Sequence, residues 1–242
     1  MAKEKVIKKI ITLNQSYNNK EDQIEIGIDE VGRGPMFGRV YVAAVILPFN
    51  SSSFNYSLLK DSKKFSSVKK IREVSEYIKK NCINYSISWN DEKMIDNVNI
   101  RIATLKAMHI CLDKLINKEN NYYLLIDGND FIPYNIINKD EMLTTIQYTC
   151  IEGGDNKYCS IAAASILAKV ARDEYIEKLC NENPKLNVYY NISKNKGYGT
   201  KHHLDGINKY GSTCWHRKTF GINKIIFENN EFPESINIED HH

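Results

Sequence analysis

Ile24-Glu25-Ile26-Gly27-Ile28-Asp29-Glu30-Val31-Gly32-Arg33-Gly34-Pro35 begins as an alternating apolar strand, reaches two adjacent carboxylates and passes into an arginine held between glycines. On a pleated strand Ile24, Ile26 and Ile28 share one face, so Asp29 leaves from the other face with Glu25 and Gly27. Neighbouring strand residues point oppositely, so Asp29 and Glu30 can serve one ion only if the chain turns directly after Asp29. Gly32 and Gly34 permit such a turn and let a backbone come close to a ligand. A lone Asp-Glu pair at a strand end is most often an ordinary loop entry. The acids found further along the chain favour chemistry on a phosphate ester instead.

Tyr122-Tyr123-Leu124-Leu125-Ile126-Asp127-Gly128 reads as a buried strand ending in an acid, and the strand 145–151 runs into Glu152-Gly153-Gly154-Asp155. Acids at the C-terminal ends of neighbouring strands lie where an open α/β sheet places its ligands. Asp127 and Asp155 can therefore join Asp29 and Glu30. Four crowded carboxylates repel one another, and divalent cations relieve that repulsion. Two ions about 3.5–4 Å apart can activate a water and stabilise the leaving oxygen of an in-line displacement. Oxygen-only ligands favour Mg²⁺ or Mn²⁺ over zinc, and His202-His203 lacks cysteines at ligand spacing.

After Asp155 comes a helix of small residues, Ser160-Ile161-Ala162-Ala163-Ala164-Ser165-Ile166-Leu167-Ala168-Lys169-Val170-Ala171-Arg172-Asp173, which can lie close against a sheet. Ser165, Lys169 and Arg172 recur at helical spacing, either facing a phosphate or forming a solvated stripe, and Asp173 is placed to pair with Lys169. Lys63 and Lys64 sit in a basic loop suited to backbone phosphates, or simply solvated.

Strand signals fall at 24–29, 40–47, 83–89, 122–127 and 145–151, and helical signals at 67–80, 91–117, 158–181 and 201–210, with Asn90 and Thr200 as caps. Strands followed by alternating helices and strands give an α/β domain with a mixed central sheet flanked by helices. Residues 1–22, with a short amphipathic piece at Val6, Ile7, Ile10 and Ile11, read as an extension outside the core. The domain is expected over 23–225 and a tail over 226–242. The 242 residues suffice for one large core.

Net charge is only +3, but its distribution is uneven: 185–224 carries eight Lys or Arg against Asp205, while 127–155 sets several acids against Lys139. A cation site beside a polyanion would have this pattern. The six cysteines show no Cys-x-x-Cys spacing and read as reduced core thiols of a cytoplasmic protein. No signal peptide or membrane span is expected.

Several separated motifs occur together in one order: Asp29-Glu30-Val31-Gly32-Arg33-Gly34-Pro35, Asp61-Ser62-Lys63-Lys64, Ile126-Asp127-Gly128, Gly154-Asp155, Ala163 to Asp173, Asn195-Lys196-Gly197-Tyr198-Gly199-Thr200 and His216-Arg217-Lys218-Thr219-Phe220. In this the chain resembles the type 2 ribonucleases H, in particular ribonuclease HII, over about residues 24–221. The resemblance implies a ribonuclease H-like fold with a C-terminal helical portion. It also implies endonucleolytic cleavage of the RNA strand of RNA·DNA hybrids and 5′ of ribonucleotides embedded in duplex DNA. A two-metal-ion mechanism would leave 3′-hydroxyl and 5′-phosphate ends. By position, Asp29, Glu30, Asp127 and Asp155 become the catalytic, metal-binding acids. Gly32, Arg33 and Gly34 sense the 2′-hydroxyl and its phosphate, and Tyr198 stacks on the sugar. A glycine-flanked loop suits this role, because the 2′-hydroxyl separates RNA from DNA and only glycines let main-chain groups approach it closely. A monomer is expected.

The chain departs from the family pattern at three places. Gly153 stands where a Lys is usual, Met36, Phe37 and Arg39 are bulkier than the usual residues after Pro35, and the segment between Asp127 and Asp155 is longer. The Gly153 change and the basic C-terminal third leave a second reading, a hybrid-binding protein with impaired catalysis. A phosphotransferase or recombinase on the same fold would leave Gly32-Arg33-Gly34 and Tyr198 unexplained.

Overall fold

The structure, a computed structural model, describes residues 13–228. Among these residues seven strands are formed: β1 (Ile24–Val31), β2 (Val40–Ile46), β3 (Asn84–Asn90), β4 (Tyr122–Asp127), β5 (Asn135–Ile137), β6 (Leu143–Thr145) and β7 (Gln147–Ile151). The helices are α1 (Val68–Asn81), α2 (Glu92–Leu115), α3 (Cys159–Glu182), α4 (Lys185–Tyr190), α5 (Ile192–Asn195), α6 (Lys201–Tyr210) and α7 (Gly221–Glu228). Five strands form one mixed sheet in the order β3-β2-β1-β4-β7. β1, β2 and β3 pair antiparallel, while β4 runs parallel to β1 and β7 parallel to β4. The expected α/β class with a mixed sheet is thus observed.

The pleat parity read from the sequence holds. Ile26 and Ile28 join Val42, Ala44, Leu124 and Ile126 in a core beneath α2. The opposite face packs Ala43 and Val45 against α1 and α3. Ala162, Ala163, Ala164 and Ala168 are wholly buried there, which lets α3 lie close to β1. A Cβ added to Gly27 would stand 2.2 Å from the Ser160 carbonyl carbon. α3 therefore sits at glycine distance beside the strand that carries Asp29.

Several expectations are corrected. The chain does not turn after Asp29: Glu30 and Val31 stay in register with Val42 and Tyr41, and the turn comes at Gly32, with φ +99°. α2 is capped by Asp91, whose carboxylate accepts from the Met94 N–H, while Asn90 is buried and donates to the Ala103 carbonyl. Thr200 occupies the cap position of α6 without a side-chain cap bond. The β5–β6 hairpin and the short helices α4 and α5 were not expected, and α7 runs through the boundary placed at residue 225.

Residues 13–22 are not free of the core. Asn14 bridges to Tyr158, and Glu25 accepts from Ser16 Oγ and the Tyr17 and Asn18 N–H groups. Val6, Ile7, Ile10, Ile11 and the tail beyond 228 lie outside the described residues. None of the six cysteines forms a disulfide, and Cys214 is exposed rather than in the core. Among the described residues no helix is long and apolar enough to cross a membrane.

Candidate active site

β1, β4 and the turn after β7 bring their acids to one edge of the sheet, where a cavity of about 500 Å³ opens. Asp29, Glu30, Asp127 and Asp155 line it, together with Gly32, Arg33, Gly34, Lys63, Ser165, Lys169, Arg172 and Tyr198. Of the candidate metal- and substrate-binding residues only Lys64 is absent from the wall. Its ammonium instead bonds to Asn156, with the Asp61 carboxylate at 3.8 Å.

Asp29 and Glu30 do leave opposite faces of β1, as an unbroken strand requires. Both reach the cavity because it lies at the strand's end rather than over one face. Asp29, 5% exposed, accepts the Glu30 N–H at 2.7 Å and a hydrogen bond from Ser165. Glu30 meets Arg33 at 3.3 Å. Asp127 accepts the Gly154 N–H at 2.6 Å, and Asp155 accepts from Asn156 at 2.9 Å.

Burial raises Asp29 well above the usual carboxylate range, and the charges of Glu30 and Asp127 add to it. Glu30 and Asp127 are also raised, each chiefly by burial; Arg33 opposes the rise at Glu30 and the Gly154 N–H opposes it at Asp127. The charges of these three acids are therefore poorly solvated, and Asp29 is repelled by both Glu30 and Asp127. A divalent cation suits such an all-oxygen donor set. Among the described residues, however, no three His, Cys, Asp or Glu side chains already stand close enough to hold one ion. The acids share a cavity, but they are less tightly drawn together than the crowded cluster expected from the sequence.

The raised carboxylates give a prediction. An acid raised in the folded state binds protons better there than in the unfolded chain. Its contribution to stability is therefore present at low pH and lost as pH rises from its ordinary value through the raised one. A cation needs the deprotonated acids, so Mg²⁺ or Mn²⁺ should stabilise the protein more at pH 8 than at pH 5. At a hundredfold excess over its dissociation constant a bound ion contributes about 2.7 kcal/mol, or roughly 5–10 °C for a chain of this size. Thermal unfolding with and without the ion at the two pH values measures this, and an equal gain at both would refute it.

Asn156, which the sequence did not point to, helps to hold the acids in place together with Asp61 and Ser62. Asn156 Nδ2 donates to Asp155 and, at 3.3 Å, to Asp61, while Ser62 Oγ meets Ser165 Oγ at 3.1 Å. The Asp61-Ser62-Lys63-Lys64 loop is thereby joined to the surroundings of both Asp29 and Asp155. Lys169 pairs with Asp173, as its spacing suggested, while still lining the cavity. Arg172 is not a solvated stripe residue. It is 2% exposed and donates to the carbonyls of Phe37, Arg39 and Lys196.

Tyr198, 52% exposed, stands at the rim. Its loop is locked to the one after Gly34 by Met36 N–H donating to the Gly197 carbonyl. Below it lies a buried histidine pair, with His203 Nε2 3.0 Å from His216 Nε2. The Thr213 N–H can only donate, so His216 Nδ1 must accept it and His216 carries its proton on Nε2. That proton goes to His203 Nε2, which leaves His203 Nδ1–H to donate to the Tyr198 carbonyl.

Both imidazoles are thus held neutral, and burial lowers both, His216 well below the usual histidine range. A base lowered in the folded state gives stability that is present above its ordinary value and lost as pH falls through it. Between about pH 7 and pH 5 the histidine pair should therefore subtract stability while the raised acids add it, so His216→Asn should gain thermal stability relative to wild type as pH falls across this window. Identical pH slopes for the two proteins would refute the assignment.

The ribonuclease HII family model matches residues 26–228. Ribonuclease HII of Bacteroides thetaiotaomicron is 42% identical over 206 residues, covering 85% of this chain and 93% of that one. Ribonuclease HII of Cytophaga hutchinsonii is 41% identical, covering 84% and 91%. The fold is similar to that of ribonuclease H2 from Pyrococcus horikoshii, with a TM-score of 0.67 at 20% identity over 86% of this chain and 99% of that one. It is also similar to that of a chain in the PCNA:RNase HII complex from Archaeoglobus fulgidus, with a TM-score of 0.57 at 21% identity over 90% and 96%.

Proposed function

The chain belongs to the ribonuclease HII family, and from that premise we propose that it cuts the RNA strand of RNA·DNA hybrids and the 5′ side of single ribonucleotides embedded in duplex DNA, leaving 3′-hydroxyl and 5′-phosphate ends. Family membership makes it a nuclease of the ribonuclease H class, acting on nucleic acid and dependent on a divalent metal. The finer statements are our reading. The observation that carries them is one cavity lined by four carboxylates, the Gly32-Arg33-Gly34 loop and Tyr198.

Asp29, Glu30, Asp127 and Asp155 would hold two divalent cations, Mg²⁺ or Mn²⁺, which when bound supply Lewis-acid charge to the phosphate and lower the pKa of water. The chain's own residues do the rest. Gly32 and Gly34 keep side chains out of the way of a sugar edge, and Arg33 and Lys63 offer cations to the phosphates flanking the cut. The exposed ring of Tyr198 offers a stacking surface for the sugar. Ser165 and Lys169 line the same wall, and Lys64 reaches the site only through Asn156. All of these residues come from one chain, so a monomer suffices.

Three end-labelled duplexes test the reading: one all DNA, one hybrid and one DNA duplex with a single ribonucleotide. In Mg²⁺ or Mn²⁺ the second and third should be cut, the third on the 5′ side of the ribonucleotide. Cutting of the all-DNA duplex at a similar rate, or binding without cutting, would overturn it.

A further inference from the structure

Arg217 is fully buried behind the Gly32–Gly34 loop. Its Nη2 donates to the Gly32 carbonyl at 2.6 Å, Nη1 to the Arg33 carbonyl at 3.0 Å and Nε to the Gly38 carbonyl at 2.8 Å. Arg172 lies beside it on the carbonyls of Phe37, Arg39 and Lys196. It sits so close under the loop that a Cβ at Gly32 would stand 2.4 Å from its Nε. Burial and the neighbouring Arg172 charge pull Arg217 down to about 9, with Glu92 and Asp96 opposing. Buried cations normally require a carboxylate partner; here backbone carbonyls take that place.

The peptide unit explains what the arrangement does. In a trans peptide the C=O and the following N–H point in opposite directions. Drawing the Gly32 and Arg33 carbonyls inward onto Arg217 turns the N–H groups of Arg33 and Gly34 the other way. Among the described residues neither N–H donates to a protein acceptor, and both residues line the cavity.

We propose that Arg217, braced by Arg172, is a positioning residue that aims the Arg33 and Gly34 N–H groups into the cavity and so sets the preference for a strand bearing a 2′-hydroxyl. This rests on the nuclease reading above and adds the device behind its specificity. Only a planar guanidinium can hold three carbonyls of one loop in fixed directions, and a lysine ammonium cannot reproduce that fork.

The test uses Arg217→Lys in the full chain, with thermal unfolding to verify folding and with EDTA present so that nothing is cut. Binding is read by fluorescence anisotropy on a DNA duplex with one ribonucleotide and on the same duplex without it. Wild type should prefer the ribonucleotide duplex, and Arg217→Lys should lose that preference at least tenfold while its affinity for the all-DNA duplex changes less than twofold. A folded variant that keeps the wild-type preference overturns the proposal and leaves the nuclease reading standing. In the separate assay with Mg²⁺ or Mn²⁺, a wild type that cuts neither ribonucleotide substrate removes the nuclease reading and the proposal with it.

If Arg217→Lys does not fold, hydrogen exchange of wild type replaces it. The Arg33 and Gly34 amides should exchange freely in the free protein and slow at least tenfold with the ribonucleotide duplex only. Protection already present in the free protein, or no slowing, overturns the proposal.

Discussion

Asp29→Asn is expected to cut turnover on a single-ribonucleotide duplex by about a thousandfold while raising the thermal midpoint of the cation-free protein at pH 8. The two effects have one cause. The Asp29 charge is buried and faces Glu30 and Asp127, so without a cation it costs folding free energy. Asparagine removes that charge and keeps the local bonds, since its oxygen can still accept the Glu30 N–H and its amide can donate to Ser165. The same change removes an anionic ligand from a site whose cations supply several kcal/mol of transition-state stabilisation. A loss of about 4 kcal/mol corresponds to a thousandfold. Lower stability with turnover retained would show that Asp29 is a structural acid.

Gly27→Ala is expected to destabilise the protein by about 3 kcal/mol, at the upper end of the usual cost of overpacking. The added methyl would meet Ser160 and Ile161 backbone at 2.2–2.5 Å, and a helix backbone cannot move aside as a side chain tip can. To make room α3 would have to lift from β1, and Ser165 would move with it away from Asp29. Gly34→Ala is the control. Its methyl meets only the Tyr198 ring at 3.5 Å, an ordinary contact, so its stability should stay within about 0.5 kcal/mol of wild type. Urea unfolding of the two variants measures both, and equal midpoints would refute the close packing of α3.

Much of this could be read before any coordinates existed. Strand parity at Ile24, Ile26 and Ile28 gave the buried face of β1, and the alanines of α3 announced a helix that packs closely. The acids were legible because each lies at or just past the C-terminal end of a strand with glycine close by: Gly32 after Asp29 and Glu30, Gly128 after Asp127, and Gly153-Gly154 before Asp155. The position of the turn was not. A regular strand can carry Glu30 into a cavity at its end without a break after Asp29, and sequence parity alone suggests the opposite.

Arg172 and Arg217 were the least legible residues. Their partners are loop carbonyls, Phe37 lying 135 positions from Arg172 and Gly32 lying 185 from Arg217, and carbonyls leave no mark in side-chain patterns. An arginine at helical spacing with a serine and a lysine therefore reads as a phosphate contact or a solvated stripe, and not as a buried clamp on carbonyls. The His203–His216 pair was hidden in the same way, since a search for zinc spacing looks for cysteines and passes over a histidine that serves another histidine. The β5–β6 hairpin has strands of only three residues each, too short for an alternating pattern to register.

On the proposed reading, carboxylates from the C-terminal ends of β1 and β4 and from the turn after β7 would together hold divalent cations. Electron paramagnetic resonance of Mn²⁺ titrated into wild type and Asp29→Asn at pH 8 tests it without relying on turnover. Saturable binding by wild type that weakens at least tenfold in the variant is the predicted result. Equal binding by the two proteins, or none by wild type even with a hybrid duplex present, would contradict it.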